Sequence, residues 1–255
     1  MRQRETNGLG RCSFLLAVLW IVSPIAIGEE ASQPKGAETD TLEASITLTL
    51  NSKYIWRGQN VVDGPVVQPE SSLSYRGLTG TVWANYDTDE GQEWTEVDYT
   101  LDCTTSLASS SLELEWISLS VGYTYYTFPP LRHHVEAGEH RDSHEVYVGS
   151  SLETLLSPYV AIYYDFDQGD GFYYELGAEQ GFPLGGAELS VGGSAGYNAG
   201  QWGYDSSFGA GVLSMRLDVP LTEGLSWSAV GTVSLALDDQ YDDEFFAGTS
   251  VAITF

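Results

Sequence analysis

The sequence predicts an all-β chain closed into an antiparallel transmembrane barrel of about twelve strands in an up-and-down meander. Three observations predict it. Apolar and polar side chains alternate along most of the chain; no apolar run after Gly28 approaches the ~20 residues that a spanning helix needs; and the connections are mostly tight at one end but longer and acidic at the other. Without water to satisfy its backbone, a sheet can cross a bilayer only when closed.

The elements follow in order. Met1 to Arg11 carries Arg2, Arg4 and Arg11, an apolar run from Phe14 to Val22 follows, and Ser23 to Gly28 offers small residues for cleavage. This is the layout of a secretory signal peptide over residues 1–28. Cys12 precedes the apolar run, so it is not placed as a lipoprotein cysteine, and Cys103 is left with no internal disulfide partner. Removing 1–28 takes three arginines and Glu5 from 10 basic and 36 acidic residues, leaving a net charge of −28. Such a surface repels nucleic acid. Acidity alone would also suit a disordered chain, but 16 Tyr, 7 Trp and 9 Phe argue for a folded one. Residues 29–41 are polar and aperiodic, with Pro34 and Gly36, and read as a flexible periplasmic leader.

The barrel is assigned to 42–255. Leu42, Ala44, Ile46, Leu48 and Leu50 share one parity, and Glu43, Ser45, Thr47, Thr49, Asn51 and Lys53 share the other. A period of two marks a strand with one apolar and one wet face. The pattern recurs at about 67–75, 78–86, 95–105, 117–128, 144–152, 158–165, 172–182, 187–197, 208–219, 225–236 and 245–255. Connections at Arg76-Gly77, 106–116, 153–155, 183–186 and 221–224 alternate with those at 59–65, 87–93, 129–142, 167–170, 198–207 and 238–244. Short turns at one end and larger loops at the other are how outer-membrane barrels are built. With both termini periplasmic, the acidic loops face outward from the cell.

Charge obeys the same alternation. Glu43, Lys53, Arg57, Glu70, Glu96, Asp98, Asp102, Glu145, Asp165, Glu175, Glu179, Glu188, Arg216 and Asp218 all take the polar parity and face the barrel interior, and all but Glu188 are assigned as pore-lining residues. A lipid-facing Arg or Lys at the midplane costs about 2–4 kcal/mol, which gives a reason for the exclusion. Rings gather near the ends of the apolar stripes: Tyr54 and Trp56, Tyr75, Tyr86, Tyr123 and Tyr125, Tyr164, Phe172 and Tyr174, Tyr197, and Trp227. They suit the two membrane interfaces. A soluble β-sandwich also alternates, but it does not require twelve strands, an export signal and one-sided loop lengths together. Phe255 ends the final strand on the apolar parity. It is expected to engage the barrel-assembly machinery on the way to the outer membrane and its lipid.

Three groups of motifs carry a resemblance. They are Ser52-Lys-Tyr-Ile-Trp-Arg-Gly58 with Asp63-Gly-Pro65 to Pro69; Gly80-Thr-Val-Trp-Ala-Asn85 with Glu96-Val-Asp-Tyr99; and Val121 to Pro129 with His144-Glu-Val-Tyr-Val-Gly149. In this order they resemble the TorF-type porins, an uncharacterised family of proteobacterial outer-membrane barrels, over roughly residues 45–165. The resemblance implies an outer-membrane barrel, provisionally a porin, without catalytic residues.

The interior charges are eleven acidic and three basic, so a water-filled path would favour cations. Glu96, Asp98, Asp102, Glu175 and Glu179 are the expected main contributors to a small channel for small solutes. The opposing reading is a lumen filled by Tyr126, Tyr159, Tyr163 and Tyr173. Lys53 and Arg57, placed at the outer end of the first strand, are expected to pair with carboxylates such as Glu70. His133, His134, His140 and His144 share a loop with Glu136, Glu139 and Asp142, but none of their spacings is a recognised metal motif, and no metal or other cofactor is assigned. Ser143-His144-Glu145 spells a triad, yet adjacent strand residues point to opposite faces and cannot converge, so no catalytic residue is assigned. A passive pore is the leading reading; an adhesive or structural barrel with acidic outer loops and a lipid-modifying outer-membrane enzyme are the others.

Overall fold

The computed structural model describes residues 41–89, 92–109, 112–129 and 142–255. The signal segment, the leader up to residue 40, and His133, His134 and His140 lie outside the described residues.

Alternation becomes strand wherever it occurs. The strands are β1 (Glu43–Asn51), β2 (Tyr54–Trp56), β3 (Gln59–Val62), β4 (Val66–Tyr75), β5 (Leu78–Asp87), β6 (Glu93–Ser109), β7 (Leu112–Thr127), β8 (Ser143–Leu152), β9 (Tyr159–Asp165), β10 (Gly171–Leu184), β11 (Ala187–Ala199), β12 (Ser207–Thr222), β13 (Leu225–Ala236) and β14 (Glu244–Thr254). β1 and β4 to β14 close into one antiparallel meander barrel of twelve strands. The seam runs from Ser45 opposite Thr254 to Asn51 opposite Gly248. Closure leaves no ladder edge facing lipid.

Inside and outside differ as the period of two requires. Along β9, Tyr159, Ala161, Tyr163 and Asp165 are buried inside, while Val160, Ile162 and Tyr164 are exposed outside. On β1, Thr47, Thr49 and Asn51 point in and Ile46, Leu48 and Leu50 point out. In water such an apolar exterior would cost about 25 cal/mol per Å²; hydrocarbon removes that cost. Rings crowd the outer rim of this wall: Tyr125 stacks on His144, His144 on Phe166, and Tyr164 on Phe172, at 4.6, 5.8 and 4.5 Å between centroids.

Two features depart from the sequence reading. The Ser-rich 106–116 stretch, read as a connection, is largely the paired ends of β6 and β7, from Ser106 opposite Ser118 to Ser109 opposite Leu112. Once two strands pair, each further residue gains ladder bonds, which overrides the weak preference of Ser for turns. The second departure concerns Lys53 and Arg57. β1 ends at Asn51, so neither lies on it. The chain instead doubles back as the β2–β3 hairpin, with Trp56 opposite Gln59 and its turn at Arg57-Gly58 (φ +50° and +81°).

Candidate functional site

The candidate site is the lumen, and its two halves are built from different residue types. The outer half holds the β2–β3 hairpin. Ile55 packs on Phe246 of β14 with Val212 of β12, Tyr54 lies 5.5 Å from Trp83 of β5, and Trp56 meets Tyr126 of β7 and Trp202 at 6.1 and 6.3 Å. Tyr54 is 1 % exposed and Ile55 0 %. Side chains from around the ring thus enclose the hairpin.

Arg57 stands at its tip. Its guanidinium donates to both oxygens of Glu145 on β8, at 2.7 Å (Nη1 to Oε2) and 2.8 Å (Nη2 to Oε1), and Nη1 also donates to Gln201 Oε1 at 2.6 Å. The rings of Trp56, Tyr163 and Tyr173 surround its Cζ at 4.4, 4.2 and 4.6 Å. Glu145 also accepts from the Tyr126 hydroxyl at 2.9 Å and from Gln201 Nε2 at 2.7 Å. A buried ion pair is tolerable only when its remaining polar atoms are satisfied, and this network supplies those partners.

Below the hairpin the wall changes. Tyr147 and Tyr159 lie flat against neighbouring strands, because the facing residues Gly122 and Gly177 have no Cβ for their rings to strike. Their hydroxyls donate to Asp102 Oδ2 at 2.7 Å and Glu175 Oε1 at 2.8 Å. Further toward the end that carries the chain termini, small hydroxyls such as Ser72, Thr79, Ser190, Ser214 and Ser228 face in among charged side chains. There Arg216 donates to Asp218 at 2.8 Å, both side chains about one-third exposed.

The residues assigned to the interior occupy three zones. Glu70, Glu96, Asp98, Asp102, Glu145, Asp165 and Glu175 are buried within the barrel. Glu43, Glu179, Glu188, Arg216 and Asp218 are partly exposed toward the end that holds the chain termini. Lys53 is at the outer mouth, bound to Asp63 and Glu244 at 2.6 and 2.7 Å, and Arg57 is inside, but on the hairpin and not on the wall. The partner of Arg57 is Glu145, where the sequence suggested a residue such as Glu70. Tyr126, Tyr159, Tyr163 and Tyr173 are all buried. In the Ser143-His144-Glu145 run, Ser143 points inward to Asp165 at 2.6 Å, His144 outward to Tyr123 at 2.7 Å, and Glu145 inward to Arg57. Gln201 and Glu244 were not singled out from the sequence. A signal for the first existed: Gly200 and Gly203, both at positive φ, flank Gln201-Trp202 and mark a structured turn within a presumed loop.

A closed twelve-stranded barrel with an apolar exterior and a polar, acid-rich lumen defines the outer-membrane barrel class. Two solved structures agree at the level of fold. The COG4313 outer membrane channel from Pseudomonas putida F1 is similar at 10 % identity and a TM-score of 0.51, covering 84 % of this chain and 95 % of its own. LpxR from Salmonella typhimurium is similar at 7 % identity and a TM-score of 0.52, covering 83 % of this chain and 100 % of its own. Outer membrane phospholipase A from Escherichia coli aligns at 14 % identity and a TM-score of 0.44, over 83 % of this chain and 95 % of its own. No protein-family model and no curated sequence matches the chain.

Proposed function

We propose that this chain is a porin-like barrel of the outer membrane, of the TorF type, that passes small cations through a lumen narrowed by its own β2–β3 hairpin. One observation carries the reading: within an apolar-walled barrel, seven carboxylates among the described residues are buried in the interior, and the buried Arg57 is already committed to one of them. An interior of that sign raises the local concentration of cations and repels anions. The resemblance of residues 45–165 to the TorF-type porins supports the same reading.

In planar bilayers under a KCl gradient, the purified barrel is expected to give small steps whose reversal potential lies on the potassium side. Steps that reverse on the chloride side would overturn the proposal.

The burial of Tyr54 and Ile55 favours a second reading, a structural or adhesive barrel with no open path. The two separate in the Arg57→Ala variant. A hairpin that merely narrows the path gives larger or longer openings once its grip on Glu145 is removed, whereas a permanently filled lumen stays silent.

A further inference from the structure

We propose that the outer-half wall is a binding site for guanidinium and related soft organic cations, and that Arg57 is its built-in occupant. This deepens the pore reading and rests on it, since an external solute reaches the site only when the hairpin gives way.

The site and its occupant belong to different parts of the chain. Wall residues Tyr126, Glu145, Tyr163 and Tyr173, on β7 to β10, and Gln201 in the turn after β11 form the receptor; the hairpin supplies the cation and a further ring, Trp56. The receptor has the chemistry of a cation cage: a carboxylate taking two parallel N–H donors at 2.7 and 2.8 Å, a side-chain carbonyl at 2.6 Å, and two wall rings within 4.6 Å of the guanidinium carbon. Its parts also hold one another. Tyr126 and Gln201 Nε2 both donate to Glu145, so the carboxylate stays oriented when Arg57 leaves.

The argument for a ligand is electrostatic. Glu145 is 1 % exposed, and a carboxylate at that depth is costly without a counter-charge. When Arg57 withdraws, the carboxylate left among the wall rings takes up a proton or another cation, and the hydrogen bonds from Tyr126 and Gln201 keep it in the ionised, cation-accepting form. The rings choose which: a flat, delocalised, weakly hydrated ion gains from aromatic faces and matches the two-pronged carboxylate. Sodium and potassium must shed tightly held water to enter and gain less. A permeating guanidinium or alkylammonium solute would thus compete with Arg57 and hold the hairpin aside.

The test uses the full barrel in detergent micelles, titrated calorimetrically with methylguanidinium. Arg57→Ala should bind it, the native barrel about tenfold or more weakly because its site is filled, and Arg57→Ala with Glu145→Gln about tenfold more weakly than Arg57→Ala alone. Equal binding by all three overturns the proposal, as does no binding by Arg57→Ala. If Arg57→Ala does not fold, the readout becomes refolding yield with low-millimolar methylguanidinium against equal sodium chloride. Recovery with methylguanidinium only supports the site, and equal yields overturn it. Bilayer recordings separate the site from the pore: a conducting Arg57→Ala barrel that methylguanidinium neither blocks nor binds ends the cage but not the channel, while binding to a silent barrel keeps the cage and ends the channel.

Discussion

At the scale of single residues, ion pairs of the same chemistry carry different weight according to depth. Arg57 and Glu145 are both buried, and removing one leaves a charge the interior cannot solvate. Glu145→Ala is expected to cost about 3–5 kcal/mol, read from urea unfolding in micelles, and adding an apolar replacement at Arg57 should recover part of the loss. Lys53 and Asp63 pair at the mouth, where Asp63 is open to water. The hydrogen bond from Lys53 holds the Asp63 carboxyl below its usual range, and the same bond raises the Lys53 ammonium. A lowered carboxylate pKa stabilises the contact above the ordinary value, and the gain is lost as pH falls through the lowered one. Amide exchange at Asn60 to Gly64, corrected for intrinsic rates, should therefore quicken under acid, and Asp63→Asn should quicken it at neutral pH and abolish the acid step.

At the scale of elements, the wall and the filling follow different rules. Each barrel strand announces itself by alternation, and the boundaries of β13 match the sequence reading at 225–236. The hairpin does not announce itself. Tyr54-Ile55-Trp56 is unbroken apolar sequence that reads as a continuation of β1, which places Tyr54 and Trp56 among the membrane-interface rings; the structure instead buries all three residues inside the barrel. Nor could sequence spacing show that Arg57 meets Glu145, 88 residues away, because contacts across a lumen leave no local period. The wall's own pairings make a sharper forecast. Gly122 faces Tyr147, and a side chain at Gly122 would strike that ring. Gly122→Val should lower stability by about 1–3 kcal/mol, the usual range for overpacking. Adding Tyr147→Ala should offset it, as a double-mutant unfolding cycle would reveal.

For the whole molecule, the division between lipid and lumen is tested by neighbours on one strand. Leu213 on β12 is 56 % exposed on the outer wall, while Ser214 beside it is 9 % exposed and faces in. Leu213→Arg should cost about 2–4 kcal/mol in bilayer refolding titrations, and Ser214→Arg much less, because only the first carries charge into hydrocarbon. Equal costs would contradict the barrel's orientation in lipid. The unequal halves of the lumen have a consequence of their own. With the rings of Tyr54, Trp56 and Tyr126 toward one end and the hydroxyls of Ser190, Ser214 and Ser228 toward the other, the lining of the lumen has no mirror symmetry along its axis. In the conduction proposed above, ions driven inward and ions driven outward meet these two linings in opposite order, and the current should rectify, with equal voltages of opposite sign giving unequal flow through a single oriented barrel.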